Sequence, residues 1–347
     1  MRRRALIPSL QMKASRFLGA FFCVFVLLVS SGCDKKDQSP NWIKPAAESL
    51  AAATPSESFS PPRDRVSSDP IADSGQVRFI TYNVENWLTT ERRINGKPAK
   101  GKSKPEQQKQ AVIQLLTRHT PDVIGLCEIG SPDDLAEIQG RLKSAGLNLP
   151  YSHFTGGIDP VRHLGLLSRF PIKATAIAAE TTFPLAGRTF SINRGILDAS
   201  VIAHQKMYRF VGAHLKSKRE SDQGDQEAIR FNEARLLRRH VDSILQENAN
   251  ARLIIYGDFN DTRASPSIKT IVGYANRSTD LTAIRVKDSR QETWTHRWDL
   301  NDLYSRIDYI MVSEALRKEV DLSNAKIIDD AGWEDASDHR PVMAVFK

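Results

Sequence analysis

Leu253-Ile-Ile-Tyr-Gly-Asp-Phe-Asn260 is a run of apolar residues that ends in two polar side chains with one residue between them. Such a run is typical of a buried β-strand, and alternation along a strand would place Asp258 and Asn260 on the same side. A carboxylate and a carboxamide at a strand exit can hold a hard cation, or a water molecule and a phosphate oxygen. Taken alone, Gly-Asp-Phe-Asn is equally an ordinary polar turn.

Three other segments bring polar groups of the same kind. Phe79-Ile-Thr-Tyr-Asn-Val-Glu85 is a strand-like run that ends in Asn83 and Glu85, again with one residue between them. Asp122-Val-Ile-Gly-Leu-Cys-Glu128 is an apolar run that ends in a single acid, and Ser337-Asp-His339 lies near the C-terminus. Together the four segments offer carboxylates, amides and an imidazole, which are groups that bind metal ions or transfer protons.

The chain resembles the endonuclease/exonuclease/phosphatase superfamily, which is deoxyribonuclease I-like, in six ordered motifs: Tyr-Asn-Val-Glu, Pro-Asp-Val-Ile-Gly-Leu-Cys-Glu, Ala-His-Leu-Lys-Ser, Gly-Asp-Phe-Asn, Arg-Ile-Asp-Tyr-Ile and Ser-Asp-His-Arg-Pro. The resemblance extends from about Val77 to Phe346. It implies an α/β fold, a four-layer α/β/β/α sandwich of two packed mixed β-sheets flanked by helices. It also implies phosphoester hydrolysis, but it does not identify the substrate.

Hydrolysis of a phosphodiester needs a divalent cation on a nonbridging oxygen, a base for the attacking water, and donors for the developing charge. Glu128 is the favoured metal ligand, because the end of a buried strand is otherwise an expensive place for a charge. Glu85 is expected to be a second ligand, and the resemblance adds Asp338. Carboxylate ligands favour Mg²⁺ or Mn²⁺, leave Ca²⁺ open, and make Zn²⁺ the weaker candidate.

The remaining candidates handle protons and the phosphate. Asp308 is interpreted as the carboxylate that orients His339, and the resemblance gives this pair the task of activating water or facing the scissile phosphate. His214 and Lys216 follow a strand and are expected to project into the same mouth, although Lys216 and Arg194 equally fit ordinary surface positions. The catalytic candidates are His339, Asp308, Asp258, Asn260, His214 and Asn83, and the substrate-binding candidates are Lys216 and Arg194.

The N-terminus has the features of an export signal. Basic residues come first, an uncharged run extends from Phe17 to Val29, and Ser-Ser-Gly-Cys33 follows. Because this run is shorter than the roughly 20 residues that span a bilayer, residues 1–33 are predicted to be an export signal and not a stable transmembrane helix. The small residues before Cys33 are similar to a bacterial lipobox. We therefore expect an exported lipoprotein anchored to a membrane of the cell envelope, with a periplasmic or secreted protein as the alternative.

Charge and cysteine content constrain the mature chain. Removal of residues 1–33 lowers the formal charge from +8 to +3, so the composition permits a polyanionic substrate without demanding one. Beyond Cys33 the chain contains only Cys127, so no intrachain disulfide can form there. The segment Arg92–Lys104 is locally basic and fits either a solvated loop or a substrate contact.

The chain divides into a tether and one catalytic domain. Residues 34–75 are rich in Ser, Pro, Ala and charge without periodicity, which predicts a flexible tether, and residues 76–347 form the domain. Helices are predicted at Pro105–Arg118, Pro132–Ala145 and Asp225–Gln246. Further strands are predicted at Tyr151–Phe154, Leu164–Ser168, Ala174–Thr181, Leu197–Ala203, Met207–Ala213, Ile307–Val312 and Val342–Phe346.

A nuclease is the leading functional hypothesis, because the set of His214, Asp258, Asn260, Asp338 and His339 is similar to that of the secreted deoxyribonucleases. A sphingomyelinase-like or inositol-phosphate phosphoesterase is the alternative. A non-catalytic surface binding module is the contrasting class, and a broken site would favour it. No segment indicates an aromatic-rich basic surface for stacking bases, or an exposed apolar hairpin that would enter a bilayer.

Overall fold

The computed structural model describes residues 75–94, 97–177, 181–222, 224–273 and 278–347. These residues belong to one compact unit, Ser68–Lys347. The predicted export signal and, except for Gly75, the predicted tether lie outside the described residues. Within the described ranges, no helix combines the length and the apolar character needed to cross a bilayer.

The strands in chain order are β1 (Val77–Trp87), β2 (Thr90–Ile94), β3 (Lys97–Lys102), β4 (Val123–Ile129), β5 (Tyr151–Thr155), β6 (His163–Ser168), β7 (Ile172–Ala174), β8 (Thr182–Leu185), β9 (Arg188–Ser191), β10 (Ile196–Ala203), β11 (Lys206–Ala213), β12 (Arg252–Asp258), β13 (Leu281–Ala283), β14 (His296–Trp298), β15 (Leu303–Ser305), β16 (Asp308–Ser313), β17 (Lys326–Ile327) and β18 (Val342–Phe346). The helices are α1 (Glu106–Arg118), α2 (Pro132–Ser144), α3 (Gln226–Glu247), α4 (Pro266–Val272), α5 (Glu314–Arg317) and α6 (Trp333–Ala336).

Two six-stranded mixed sheets form the middle of the fold. The first has the strand order β17-β18-β1-β4-β6-β5, and the second has the order β13-β16-β12-β11-β10-β7. The pairs β1–β4 and β11–β12 are parallel, and the other pairs in the two sheets are antiparallel. The hairpins β2–β3, β8–β9 and β14–β15 lie outside both sheets.

Three apolar cores separate four layers. The core between the sheets includes Phe79, Phe210 and Tyr256, with the Phe79 ring 5.0 Å from each of the other two rings. A second core lies between the first sheet and the helices α1 and α2, and a third lies between the second sheet and the helices α3 and α4. This arrangement confirms the predicted four-layer α/β/β/α sandwich.

The three predicted helices are confirmed, and each observed end differs from the predicted end by no more than one residue. Two of them begin at a side-chain cap that the sequence provides. Ser131 accepts a hydrogen bond from the backbone N–H of Asp134, and Asp225 accepts from the N–H groups of Glu227 and Ala228. Such caps satisfy donors that have no partner inside the helix.

The predicted strand Ala174–Thr181 was wrong. β7 ends at Ala174, and residues 175–177 and 181 are irregular, while residues 178–180 lie outside the described residues. β7 is the edge strand of the second sheet and has only β10 as a partner. After this short pairing the chain leaves the sheet, and Ile177 packs against the core beneath α3. Among the described apolar residues of this stretch, only Ile177 is half-buried against that core, whereas Ala174 and Ala176 are exposed.

Candidate active site

The centre of the candidate site combines residues from both sheets. Asp258, the last residue of β12, is the register partner of Asp308, the first residue of β16. Asn83 of β1 donates from Nδ2 to Asp258 Oδ2 over 3.1 Å, and His339 Nε2 lies 3.7 Å from the same oxygen. All four side chains are buried, so polar groups from distant parts of the sequence share one low-dielectric space.

His339 is held by two polar contacts. Its Nδ1 lies 2.9 Å from Asp308 Oδ2, and its backbone N–H donates to Ser337 Oγ over 3.0 Å. Burial disfavours the charged imidazole, but the carboxylates of Asp308 and Asp258 outweigh this effect and raise the pKa of His339 well above its ordinary value. The structure thus places Asp308 where it can orient His339 and stabilise a proton on it.

Asp258 is a weak acid in this environment. Burial raises its pKa to about 7, the negative charge of Asp308 acts in the same direction, and the positive charge of His339 opposes the rise. Its Oδ1 accepts the backbone N–H of Asn260 over 2.8 Å. A carboxyl group with a pKa near neutrality can exchange a proton with water, as a general base must.

Gly257 allows the end of β12 to lie very close to the end of β11. Its φ is +133°, and a Cβ at this position would lie only 2.0 Å from the carbonyl oxygen of Ala213. The close approach brings Asp258 next to His214, whose Nε2 lies 3.4 Å from Asp258 Oδ2. Burial lowers the pKa of His214 well below its ordinary value, and nearby positive charges add to the effect. His214 is therefore neutral and can donate one ring N–H.

Asn260 and Asp258 share one space, although β12 ends at Asp258. Asn260 has a φ of 50°, in the left-handed region that Asn tolerates better than most residues. Its Nδ2 donates to the carbonyl oxygen of Leu215 over 3.0 Å and lies 3.3 Å from Asp258 Oδ2. A left-handed turn, and not the strand alternation used in the sequence analysis, therefore brings the two side chains together.

Bulges in two strands direct the predicted metal ligands. The pairing of β1 with β4 becomes irregular after Asn83, and the pairing of β4 with β6 becomes irregular after Cys127. At these irregularities Glu85 and Glu128 have φ values of 47° and 68°. Bulges are frequent beside active sites, where they re-aim a side chain, and non-glycine residues seldom adopt such positive φ values elsewhere.

Glu128 is surrounded by donors. Its Oε2 accepts the backbone N–H of Asn86 over 2.8 Å, and its Oε1 accepts from Asn83 Nδ2 over 3.4 Å. Arg162 Nε lies 3.9 Å from Oε1. These partners hold the Glu128 side chain in one place, and a carboxylate oxygen is a ligand that hard cations prefer.

Glu85 lies beside the buried cation Lys104. Lys104 Nζ donates to the Glu85 carbonyl oxygen over 3.2 Å and lies 3.7 Å from Oε2. Burial raises the pKa of Glu85, and so do the negative charges of Asp338 and Glu128, while Lys104 lowers it. Glu85 is therefore close enough to the other two predicted metal ligands to be repelled by their charges, and a divalent cation would relieve that repulsion.

His296 joins the site although the sequence analysis did not select it. Its Nε2 lies 3.7 Å from Asp338 Oδ2, and its ring centroid lies 4.6 Å from that of His339. Within the described residues, potential ligand atoms lie within 4.8 Å of one another in two groups, His296–Asp338–His339 and Asp258–Asp308–His339. Neither group includes Glu85 or Glu128. No local motif marks His296, because only the β14–β15 hairpin brings it to His339.

The two predicted substrate-binding cations are buried near one acid. Glu233 of α3 is fully buried and accepts the backbone N–H of Asn193 over 2.9 Å and that of Lys216 over 2.6 Å. Arg194 Nε lies 3.2 Å from Asp159 Oδ2. Burial and the charge of Arg194 lower the pKa of Lys216. Neither cation is an ordinary surface residue, and both lie next to backbone that Glu233 holds.

Two hairpins of different chemistry border the site. The basic hairpin, β2–β3, exposes Lys97, Lys100 and Lys102 and leads to the buried Lys104, so the segment is more than a solvated loop. The apolar hairpin, β14–β15, begins at His296 and exposes several large hydrophobic side chains. These exposed side chains were not predicted, because the short strands carry polar residues between the apolar ones.

The chain is similar to known proteins in both sequence family and fold. A sequence model of the Endonuclease/Exonuclease/phosphatase family matches residues 80–339, whereas no curated protein matches the sequence significantly. Similar solved structures include a beta toxin from Staphylococcus aureus (16% identity, 78% of this chain and 100% of that chain, TM-score 0.54) and the catalytic domain of human Nocturnin with bound sulfate (16%, 79% and 94%, 0.53). A third is the 3′ phosphatase NExo from Neisseria bound to product DNA hairpin (16%, 78% and 99%, 0.52). At these identities the structural likeness establishes the fold alone.

Proposed function

This chain belongs to the Endonuclease/Exonuclease/phosphatase family, and from that premise we propose that it is a metal-dependent phosphodiesterase whose substrate is nucleic acid. Phosphoester hydrolysis is the chemistry that the family supports. The observation that carries the proposal is the buried contact of Asp308 with His339 beside Asp258. Burying three ionisable groups together is costly, and clusters of this kind with perturbed pKa values are common at catalytic sites.

The residues divide the work of hydrolysis. Asp258, with a pKa of about 7, accepts the proton of the attacking water. His339, oriented by Asp308, carries a proton that can stabilise the charge developing on the phosphate. The side chains of Asn83 and His214 can donate hydrogen bonds to the same phosphate. Water attacks directly in this scheme, and no covalent intermediate with the protein forms.

Glu128, Glu85 and Asp338 are the residues that would hold the metal ion. Their carboxylate oxygens suit Mg²⁺ or Mn²⁺, and Ca²⁺ remains a candidate. When bound, such an ion supplies a Lewis acid for a nonbridging phosphate oxygen. A beta toxin of Staphylococcus aureus with the same fold has been crystallised with bound magnesium ions (14% identity, TM-score 0.52).

Nucleic acid is the proposed substrate because positive charge extends beyond the site. The exposed Lys97, Lys100 and Lys102 of the basic hairpin provide contacts for phosphates next to the scissile one. Arg162, 3.9 Å from Glu128, continues the positive charge into the site. A lipid or an inositol phosphate offers fewer phosphates for such an extended surface. NExo, which shares the fold, was crystallised with product DNA.

The test is hydrolysis of a substrate panel by the purified protein with Mg²⁺ or Mn²⁺. The panel contains duplex DNA, single-stranded DNA, RNA, sphingomyelin and inositol phosphates. Hydrolysis of a nucleic acid is the expected result. Hydrolysis of sphingomyelin or an inositol phosphate alone would replace the nuclease with the alternative phosphoesterase. Hydrolysis of none would favour a non-catalytic surface binding module.

We also propose that the protein acts outside the cytoplasm from a lipid anchor at Cys33. The support is the basic start, the short apolar run and Ser-Ser-Gly-Cys33 in the sequence. Mass spectrometry of the mature N-terminus should find an acylated Cys33, and a Cys33→Ser variant should leave the membrane fraction. An unmodified N-terminus at another residue would indicate a secreted or periplasmic protein instead.

A further inference from the structure

We propose that the apolar hairpin stacks an unpaired nucleobase of the substrate on Trp298, so that the enzyme prefers single-stranded nucleic acid. This inference rests on the proposed function and identifies the substrate class of the same site. Of the nine large hydrophobic side chains exposed within the described ranges, four lie in this ten-residue hairpin. They are Trp298 (40% exposed), Leu300 (87%), Leu303 (50%) and Tyr304 (51%).

The hairpin is joined directly to the catalytic residues. His296, at its base, forms an isolated β-bridge with His339, and the backbone N–H of Arg297 donates to the Asp338 carbonyl oxygen over 3.0 Å. Trp298 follows His296 by two residues and therefore lies on the same face, about 7 Å further along the strand. That distance corresponds to about two nucleotides of a stacked strand, at about 3.4 Å each. A base on Trp298 therefore belongs to the strand whose phosphate reaches His339.

The opposite face of the hairpin is anchored, which keeps the platform rigid. Tyr304 packs edge-to-face on Trp294 with a centroid distance of 4.8 Å. Trp294 in turn lies 5.4 Å from Trp333 and receives the Arg340 guanidinium 3.3 Å above its ring. A rigid aromatic surface loses little conformational freedom when a flat base stacks on it. Trp298 is thus presented as a preformed surface.

The charges decide which part of the substrate lies here. Arg297 is paired with Asp299 over 2.7 Å, and Asp302 adds a second acid at the hairpin turn. Phosphates are repelled by this edge and attracted by the basic hairpin. The site therefore offers a surface for an uncharged flat group at the apolar hairpin and for phosphates at the basic hairpin. An unpaired nucleotide strand presents both groups, whereas a base in a duplex stays covered by its neighbours.

The test compares Trp298→Ala, Trp298→Phe and the wild type on single-stranded oligonucleotides. Matched oligonucleotides carry an abasic residue at the second nucleotide on one side or the other of the cleaved phosphate. Tyr151→Ala is the control, because Tyr151 is an equally exposed aromatic residue (41%) at the opposite end of the first sheet, paired with Ser168. We expect Trp298→Ala to lower kcat/KM about 10-fold on the intact strand and much less on the abasic one. Trp298→Phe should retain most of the activity.

Three outcomes overturn the inference. If the wild type cleaves oligonucleotides and Trp298→Ala loses equally on intact and abasic strands, Trp298 does not stack a base, and the nuclease proposal stands alone. If Trp298→Ala abolishes binding to phosphatidylcholine vesicles but leaves oligonucleotide cleavage unchanged, the hairpin contacts a lipid surface and Trp298 does not stack a base. If the wild type cleaves no nucleic acid, the proposed function and this inference fail together.

Discussion

Asp258, Asp308 and His339 form one electrostatic unit, because two buried carboxyl groups lie around one imidazole. The pKa of His339 is raised by both acids, and the pKa of Asp258 is raised to about 7 by burial and by Asp308. Neutralising one member therefore changes how readily the other two gain or lose a proton. His240 and Asp198 form a second buried pair, with Nε2 and Oδ2 2.8 Å apart, between α3 and β10.

Asp308→Asn should lower kcat by roughly 10²- to 10⁴-fold, because His339 loses the charge that orients it and stabilises its proton. KM should change little. Steady-state kinetics on the preferred substrate checks both values. Asp198→Asn is the matched control, since it alters an equally buried Asp–His pair outside the site and should spare kcat. Equal losses in the two variants would show that Asp308 acts through stability alone.

Single residues show what the sequence could predict about the site. Asp258, Asn83, His214 and His339 were predictable because each ends or adjoins a recognisable apolar strand. His296 was not, because its neighbours in sequence carry no chemical pattern. The positions of Glu85 and Glu128 depend on bulges, which arise from pairing between strands and leave no local signal.

At the level of elements, α3 supports the cationic side of the site through Glu233. This buried carboxylate accepts two backbone N–H groups, from Asn193 and Lys216, on the two segments that carry Arg194 and Lys216. Burial raises the pKa of Glu233, although these hydrogen bonds favour the charged form. The helix therefore holds the backbone next to both cations.

Glu233→Gln should raise KM about 10-fold with a smaller effect on kcat, because an amide can accept only one of the two hydrogen bonds well. One unsatisfied buried N–H should also lower the free energy of unfolding by roughly 1–3 kcal/mol. Kinetics and urea unfolding measure the two effects. Glu247→Gln, at the exposed C-terminal end of the same helix, is the control. An unchanged KM in Glu233→Gln would exclude the positioning role.

For the whole molecule, the apolar strands and three amphipathic helices indicated packed sheets covered by helices, and the family resemblance implied the same four-layer sandwich. The layers follow from which faces of the strands and helices are buried, and the spacing of apolar residues in the sequence indicates those faces. The β2–β3, β8–β9 and β14–β15 hairpins were not predicted, since they are short and carry mixed polar and apolar residues. The hairpins that border the site therefore lie in the parts that periodicity describes least well.

Stability of the whole molecule should fall in acid partly through Asp198. Burial opposes its ionisation, but hydrogen bonds with His240 and Arg209 lower its pKa below the ordinary value of 3.8. The stabilisation it provides is therefore complete above about pH 4 and is lost as the pH falls through the lowered pKa. Urea unfolding should find Asp198→Asn less stable than the wild type by roughly 1–3 kcal/mol at pH 7, with a smaller gap near pH 2. A gap independent of pH would contradict the assignment.

The central claim is that this buried site hydrolyses a phosphodiester with the help of a divalent ion. The most direct measurement follows cleavage of a single-stranded oligonucleotide by chelator-treated protein, before and after addition of Mg²⁺ or Mn²⁺, beside an Asp258→Ala/His339→Ala variant whose folding is verified by circular dichroism. Chelator should abolish cleavage, the metal should restore it, and the variant should stay inactive. Cleavage that persists in chelator, or in the double variant, would contradict the claim.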